Sequence, residues 1–297
     1  MGLTHLKLLF IVLVAGCASQ PALHTDINWR ALPVDSEPGT QPSGLCLVEG
    51  QLFAVSDKHD WIYRIDIEAD RAVMRKHVPV DSAALGVEKL DLEGITADQK
   101  GNFILLSERH NRLLRVNAKG TRWLPGKELE PAAQQAGLLR KHNAGFEGVT
   151  FVAPNRLLLA AEREPRGLVD VELSPQYNIK GAIVTLFQFS VLPFPEDRPP
   201  DFAGLDFFAG QTYVLQRNIN AISILNRRVD GFREGQAWSF SDVLESPQWR
   251  YQDMRFGHAE GLAVDAENFY VILDNNNSAL QSNPSDKRSL LLIGQRH

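Results

Sequence analysis

Short apolar runs recur along the chain, and each is interrupted by a Gly or Asn turn before a second run rich in Phe, Leu, Val and Tyr. Runs of this length and composition predict β-strands joined as hairpins. Five of these hairpins align on one residue each: Gly44, Gly94, Gly148, Gly204 and Gly261. The spacings are 50, 54, 56 and 57 residues, so the chain is built from an internal repeat.

Further apolar runs follow most hairpins, which gives about four strands in each repeat. Four strands in such a period predict an all-β fold, a single β-propeller. Only 36 residues follow Gly261, so the N-terminal strand is expected to complete the last of five blades. A sixth, degenerate blade within residues 169–200 is the alternative. Short helices are predicted at Glu130–His142 and Ser241–Glu245.

The first 16 residues contain Lys7 and an apolar run from Leu8 to Ala15. This run has the length of a secretory signal and is too short to span a bilayer. Val14-Ala15-Gly16-Cys17 resembles the lipobox of bacterial lipoproteins, which implies lipidation at Cys17. An ordinary cleavage site is the alternative. The expected domains are a signal peptide (1–16) and a propeller (17–297, core repeats about 43–295).

Because Ala18 rather than Asp follows Cys17, the lipobox resemblance implies the outer membrane, with the propeller facing the periplasm. Cys46 is the only other cysteine and lies in an apolar run. It is therefore expected to be a small buried hydrophobe, and a disulfide-stapled fold is excluded.

Composition excludes several classes of function. The chain of 297 residues is 44% apolar with a formal charge of −5, so it is neither disordered nor a nucleic-acid binder. Neither a P-loop nor a dinucleotide fingerprint occurs, so no nucleotide cofactor is expected. A Gly-x-Ser-x-Gly nucleophile elbow is also missing.

Aligning the repeats places acidic residues in two columns. The first column is the residue before each repeat glycine, and it is acidic except at Ser43 and Ala203. The second column is the residue that ends the second strand of each hairpin, and it is acidic except at Gln216. The predicted metal ligands are Glu93, Glu147, Glu260, Asp57, Glu108, Glu162 and Asp274. Carboxylates converging on a narrow axis repel one another unless a cation is present, and Ca²⁺ accepts such oxygen ligands. Ion pairs between neighbouring repeats are the structural alternative.

The residue after the second column is usually basic. The predicted phosphate-binding residues are Lys58, Arg109, Arg163, Arg217 and Asn275. Basic groups beside a bound cation suit a phosphate monoester. His110, His142 and His258 lie next to these motifs as candidate general acids, and the sequence does not identify a catalytic nucleophile.

Several segments together resemble the esterase-like phytase family: DLEGI (91–95), NAGFEGVTF (143–151), AAER (160–163), DFAGLDFF (201–208), LQRN (215–218) and AEGLAVD with DNN (259–276). The SdiA-regulated propeller family shares the GFEG and EGL elements and is the main competitor. The resemblance implies a secreted or periplasmic β-propeller with hydrolytic activity on phosphate or ester substrates.

Two functions follow as expectations. The first is a metal-assisted hydrolase of phosphate monoesters or esters, tethered to the cell envelope, that binds a small anionic ligand. The second is a non-catalytic propeller in the periplasm that binds a ligand or a protein.

Overall fold

The computed structural model describes residues 23–229, 231–255 and 258–296. The fold of this part is all-β. Its strands are β1 (Leu23–His24), β2 (Trp29–Asp35), β3 (Pro42–Val48), β4 (Gln51–Ser56), β5 (Trp61–Ile67), β6 (Ala72–Pro79), β7 (Leu92–Ala97), β8 (Phe103–Ser107), β9 (Arg112–Asn117), β10 (Gly120–Trp123), β11 (Phe146–Ala153), β12 (Arg156–Ala161), β13 (Arg166–Leu173), β14 (Ile179–Phe187), β15 (Gly204–Phe208), β16 (Gln211–Gln216), β17 (Ala221–Arg228), β18 (Gly231–Ser239), β19 (Ala259–Val264), β20 (Asn268–Leu273) and β21 (Leu290–Gln295). The α-helices are α1 (Leu129–Ala136) and α2 (Ser241–Glu245).

The strands pair as antiparallel meanders that follow the sequence repeat. Strands β3–β6, β7–β10, β11–β14 and β15–β18 each pair with their neighbours in chain order. The fifth meander is β19–β20–β21, and the N-terminal strand β2 pairs antiparallel with β21. Strand β2 also pairs in parallel with β6 over two residues, so the fifth and first meanders are joined in one sheet. Strand β1 pairs in parallel with the outer edge of β18.

The first strands of the five meanders pack side by side in a cycle, β3 against β7, β7 against β11, β11 against β15, β15 against β19, and β19 against β3. Five buried apolar clusters follow the same cycle. One joins β7–β9 to β3–β5, another joins β8–β9 to β11–β13, and the rest continue round to β19–β21 and back to β3–β5. Each sheet therefore buries both faces against its neighbours, in a propeller-like arrangement.

The repeated glycines are required where the inner strands approach the axis. A Cβ atom on Gly261 would lie 2.6 Å from the backbone nitrogen of Leu45, and one on Gly148 would lie 2.9 Å from that of Leu205. Only glycine permits this separation. The glycines that reveal the repeat in the sequence are therefore the contacts between its successive units.

Local predictions are mostly confirmed. The α2 helix has the predicted bounds. The α1 helix stops at Ala136, six residues before His142, because Gly137 adopts a positive φ of 104° and its N–H caps the last turn. Cys46 is a buried free thiol. Neither helix in the described ranges has the length and apolar character needed to cross a bilayer. Residues 1–22, which include Cys17 and the predicted signal peptide, lie outside the described residues.

Candidate functional site

Three inner strands begin with a β-bulge, and the extra residue of each bulge is the glutamate before the repeat glycine. The pairing register shifts between Leu92 and Gly94, between Phe146 and Gly148, and between Ala259 and Gly261. Two residues then oppose one on the partner strand, and the bulged side chain is re-aimed. Glu93, Glu147 and Glu260 thereby line the axis. Ser43 occupies the same bulged position in the first repeat.

The acids of the second column lie at the same end of the sheets, because the second strand of each meander runs antiparallel to the first. The backbone N–H of Glu108 donates to the carbonyl of Asp91 at 2.9 Å, and that of Glu162 donates to Gly145 at 3.0 Å. Asp274 donates in the same way to His258 at 2.8 Å. We call this end of the molecule the carboxylate face.

Little space remains on the axis below the glutamates. The cavity lined by Glu93, Glu147, Glu260 and the inner-strand glycines has a volume of about 10 Å³, which is room for roughly one water molecule. The inner strands therefore close the centre of the molecule and leave no room on the axis for a ligand larger than water.

Arg217 extends into the carboxylate face from the fourth repeat and pairs with three acids. Its Nη1 lies 2.6 Å from Glu260 Oε1 and its Nε lies 3.3 Å from Asp201 Oδ2. Its Nη2 donates to Glu162. Burial opposes the charge of Arg217, but the carboxylates of Glu260, Asp201 and Glu147 raise its pKa, so it stays charged. The predicted alternative of ion pairs between repeats is therefore present at this residue, since Glu162 and Glu260 belong to the flanking repeats.

Glu93 and Glu147 are left without an ion pair among the described residues. Burial raises the pKa of both carboxyls well above the usual range. The neighbouring carboxylates Glu147 and Glu260 raise the pKa of Glu93 further, whereas Arg217 opposes the shift at Glu147. Burial also raises the pKa of Glu260 to about 7, against the opposing effect of Arg217. The carboxylate face therefore holds protons, or attracts cations, near neutral pH.

Asp57, Asp91 and Glu93 form a cluster that could hold a metal ion. One carboxylate oxygen from each lies within 4.8 Å of those of the other two, which is compatible with ligation of one cation at about 2.3–2.6 Å. Asp57 Oδ1 is buried and has no hydrogen-bond donor, and desolvation raises the pKa of this carboxyl. The donor set is all oxygen, so it fits a hard cation. The other carboxylate oxygen of Asp57, Oδ2, pairs with Lys58.

The predicted basic residues have different surroundings. Lys58 and Arg109 are exposed, and Lys58 pairs with Asp57. Arg163 is half-buried, pairs with Glu162 and donates to the carbonyl of Asn143 at 2.8 Å. Lys58 therefore places exposed positive charge beside the carboxylates, whereas the guanidinium groups of Arg163 and Arg217 are paired with acids.

Other predicted residues hold the backbone. Asn275 is buried, and its Nδ2 donates to the carbonyls of Ser278 and Lys287 at 2.7 and 2.6 Å. Glu108 accepts the backbone N–H of Gly145 at 3.1 Å, and burial raises its pKa. Asp274 accepts the N–H of Asn276, and burial raises its pKa to about 6.

Two of the three histidines also contact the backbone. The ring nitrogens of His258 lie 2.8 and 2.7 Å from the carbonyl oxygens of Asp274 and Asp253. His110 Nε2 lies 3.1 Å from the carbonyl oxygen of Lys89. His142 is exposed.

Two acids of the carboxylate face were missed in the column alignment. Asp91 and Asp201 each stand two residues before the first column, in DLEG and DFAG. Asp201 is fully buried and lies beside Arg217, so the fourth repeat still contributes an acid although Ala203 replaces the glutamate. A third column, drawn two residues before the glutamate position, would have identified both.

Similar folds occur in solved structures of low sequence identity. Myxococcus xanthus glutaminyl cyclase matches with a TM-score of 0.53 and 11% identity, over 90% of this chain and 96% of that chain. The PQQ-bound aldose sugar dehydrogenase of Streptomyces coelicolor gives 0.48 and 13%, over 92% and 100%. Virginiamycin B lyase of Staphylococcus aureus gives 0.46 and 11%, over 92% and 100%. The similarity to the glutaminyl cyclase supports the all-β, propeller-like fold of this chain and says nothing about its activity.

A comparison with proteins of curated function gives no significant match. The family comparison does give one: the model described as Phytase-like, esterase-like activity of phytase, matches residues 42–277. This range runs from β3 to the Asn residues after β20 and contains every acid of the carboxylate face. The chain therefore belongs to the Phytase-like family.

Proposed function

We propose that the protein is a five-bladed propeller tethered to the bacterial envelope, which hydrolyses phosphate monoesters or esters with the help of a divalent cation. Five meanders, five inter-sheet clusters and the β2–β21 pairing support five blades closed by the N-terminal strand. Residues 169–200 form the outer strands of the third meander and a loop, which argues against a sixth blade.

The tether rests on the lipobox-like Val14-Ala15-Gly16-Cys17. We expect cleavage before Cys17, acylation of its thiol, and attachment to the outer membrane with the propeller in the periplasm. Mass spectrometry of the N-terminal peptide from membranes tests this. An acylated peptide that begins at Cys17 supports the tether, and an unmodified peptide with a different start contradicts it.

The observation that carries the hydrolase proposal is the cluster of Asp57, Asp91 and Glu93 at the edge of a closed axis. These three residues would hold the cation, and Ca²⁺ fits their all-oxygen donor set. When bound, the cation would polarise a phosphoryl or carbonyl oxygen of the substrate. Lys58, exposed beside Asp57, would bind an anionic oxygen of the substrate.

Glu147 is the proposed proton donor or acceptor. Its carboxyl has no ion pair among the described residues, and burial keeps its pKa well above that of a free glutamate. Such a carboxyl can hold a proton near neutral pH and transfer it to a leaving group.

The test is hydrolysis of phytate, p-nitrophenyl phosphate and p-nitrophenyl butyrate by the purified protein, with Ca²⁺ or with a chelator. Asp57→Asn and Glu93→Gln keep the size of the side chains and remove their charge. Each is expected to lower activity and to weaken Ca²⁺ binding by about tenfold or more, as for loss of one ligand.

The matched control is Asp70→Asn, an exposed acid of the first repeat. This substitution should leave both the hydrolytic activity and the affinity for Ca²⁺ unchanged. Activity that is equal in Asp57→Asn, Glu93→Gln and the parent, or that survives chelation, contradicts the metal-assisted mechanism. Failure of all three substrates to react contradicts the hydrolase proposal.

A non-catalytic binding propeller is the second candidate, and the saturation of Arg217 by three acids favours it. A charge cluster that compensates itself needs no substrate or metal to be stable. Thermal unfolding separates the two candidates, because a cation that binds only the folded protein raises Tm. A Tm that millimolar Ca²⁺ does not change favours the binding propeller.

A further inference from the structure

Exposed large apolar side chains are concentrated in one place. Six were found among the described residues, and five of them are Ile183, Leu186, Phe189, Val191 and Val229. We call these five the apolar patch. Phe189 is 84% exposed and is the one phenylalanine among the six. A concentration of this kind marks an interaction surface.

The patch lies on the outer strands and loops of the third and fourth meanders, with Ile183 and Leu186 on opposite faces of the edge strand β14. Ile183 and Leu186 lie on β14, Phe189 and Val191 lie in the loop that follows, and Val229 lies in the turn between β17 and β18. A methyl group on Gly231, two residues after Val229, would lie 3.1 Å from Cγ2 of Thr185 on β14. The tip of the β17–β18 hairpin therefore contacts the strand that carries Ile183 and Leu186.

Buried contacts fix the loop that carries Phe189 and Val191. Glu234 Oε2 accepts the backbone N–H of Val191 at 2.9 Å and the hydroxyl of Ser190 at 2.8 Å. Glu234 Oε1 lies 2.8 Å from Nη1 of the buried Arg166. The guanidinium of Arg166 lies 4.5 Å from the ring centre of Phe202 and donates to the carbonyl of Phe189. The contacts of Arg166 and Glu234 with the backbone of this loop therefore fix Phe189 in its exposed position.

The described part of the chain begins beside this patch. Leu23 in β1 is paired with Ala237 of β18, and the two strands run parallel. The N-terminal end of β1 therefore points along β18 toward Glu234, three residues or about 10 Å away. Cys17 stands six positions before Leu23, and six residue steps can span up to roughly 20 Å. An acyl group on Cys17 can therefore reach the membrane on the side of the apolar patch.

Basic residues border the patch. The hairpin sequence Arg227-Arg228-Val229-Asp230-Gly231-Phe232-Arg233 has three arginines and one aspartate. Arg228 and Arg233 are exposed, and Lys180 is exposed at the start of β14. Apolar side chains bordered by basic ones bind the interface of anionic membranes.

We propose that the apolar patch inserts into the lipid bilayer to which Cys17 is tethered, and so fixes the orientation of the domain on the membrane. The proposal rests on the proposed lipid anchor and is independent of the hydrolase proposal. The occupant is a phospholipid surface that includes anionic headgroups.

The test uses the full chain expressed with its signal and reconstituted into vesicles of phosphatidylethanolamine and phosphatidylglycerol. Phe189→Cys and Val229→Cys are each labelled with an environment-sensitive fluorophore. Ile67→Cys, on β5, is the matched control, because Ile67 is the sixth exposed apolar side chain. Cys46 is buried, which also raises the pKa of its thiol, so it should not react with the label.

On vesicles, the fluorescence emission of labels at Phe189 and Val229 should shift to shorter wavelength and be quenched by spin-labelled lipid. The emission of the label at Ile67 should neither shift nor be quenched. Equal quenching at all three positions, or none at Phe189 and Val229, overturns the proposal. A blue shift that appears only with a protein extract, without quenching by lipid, also overturns it in favour of a protein partner.

Mass spectrometry of the same samples shows whether Cys17 is acylated, so failure of the anchor is distinguished from failure of the patch. The combined variant Phe189→Ser, Val191→Ser and Val229→Ser provides a second measurement. Parent and variant are compared in a Cys17→Ser background, where no acyl chain holds the protein on the vesicle. Release of the variant at high salt should then increase about tenfold over that parent, since apolar burial is lost. An unchanged release overturns the proposal, and Ile67→Ser is the control.

Discussion

Arg217 explains how so many acids are tolerated at one end of the molecule. A buried carboxylate is costly unless it is paired or protonated. Arg217 pairs with Glu162, Asp201 and Glu260, which come from the third, fourth and fifth repeats. One guanidinium thus connects three meanders, because its planar fork presents several donors in fixed directions.

Replacing Arg217 by methionine should destabilise the protein strongly, because it leaves three buried carboxylates without their cation. Loss of one partner of a buried pair costs about 3–5 kcal/mol. We expect a decrease of this size in the free energy of unfolding, measured by urea denaturation at neutral pH. Arg109→Met is the matched control, since Arg109 holds the same repeat position and is exposed. Equal effects of the two substitutions would contradict the role assigned to Arg217.

Most acids of the carboxylate face could be predicted from the sequence, but Asp91, Asp201 and the partners of the charged side chains could not. Alignment of the repeats identified Glu93, Glu147 and Glu260 because each stands before a repeat glycine. It could not show that Arg217, rather than Arg109 or Arg163, turns inward. That choice depends on the neighbouring repeats, since Ala203 is one of the two residues, with Ser43, that replace the glutamate and leave room for a larger side chain.

At the level of elements, the bulge and the glycine act together. The bulge turns the glutamate toward the axis, and the glycine that follows lets the next inner strand approach. The same pair of residues therefore builds both the site and the packing of the meanders. This coupling explains why one motif, Glu-Gly followed by an apolar residue, recurs three times in the chain.

Gly261→Ala should destabilise the packing of the fifth meander against the first. The added Cβ would lie 2.6 Å from Leu45 N and 2.8 Å from Gly44 C, both of which are backbone atoms that cannot rotate away. Overpacking of this kind costs about 1–3 kcal/mol. Gly181→Ala is the control, because a Cβ on Gly181, which lies on β14, meets no atom within 4 Å. Chemical denaturation compares the two, and equal midpoints would contradict the close packing of β19 on β3.

Strands with continuous apolar runs were predicted closely, whereas outer strands were not. The runs WIYRIDI and AISILNR correspond to β5 and β17. Strand β18, with the sequence GFREGQAWS, has no apolar alternation that a pattern could detect, because it lies near the edge of its sheet. Its pairing depends on β17 and on β1 from the start of the chain.

For the molecule as a whole, the mild net charge conceals a strong local asymmetry. The chain has 36 acidic and 31 basic residues, yet the carboxylate face collects acids from every repeat and buries few bases. The acids of the carboxylate face cannot move apart to reduce their repulsion, because the packed inner strands fix their positions. The stability of the whole fold should therefore depend on their protonation.

Thermal stability should rise as the pH is lowered from about 7.5 to about 5.5. A carboxyl whose pKa is higher in the folded than in the unfolded chain binds more protons when folded, so the free energy of unfolding falls as pH rises between the two values. For Glu260 this interval runs from 4.5 to about 7, and for Asp274 from 3.8 to about 6. Glu93 and Glu147 shift in the same direction.

Scanning calorimetry in metal-free buffer measures this dependence, and millimolar Ca²⁺ should reduce it. A cation bound at Asp57, Asp91 and Glu93 stabilises their ionised forms, so the gain in Tm from Ca²⁺ should be larger at about pH 7.5 than at about pH 5.5, where protons compete for the same oxygens. Glu93→Gln should reduce both the pH dependence and the gain from Ca²⁺, while Asp70→Asn should change neither. A Tm that increases with pH over this interval would show that the acids are compensated by bases, and the carboxylate face would then have no need of a cation.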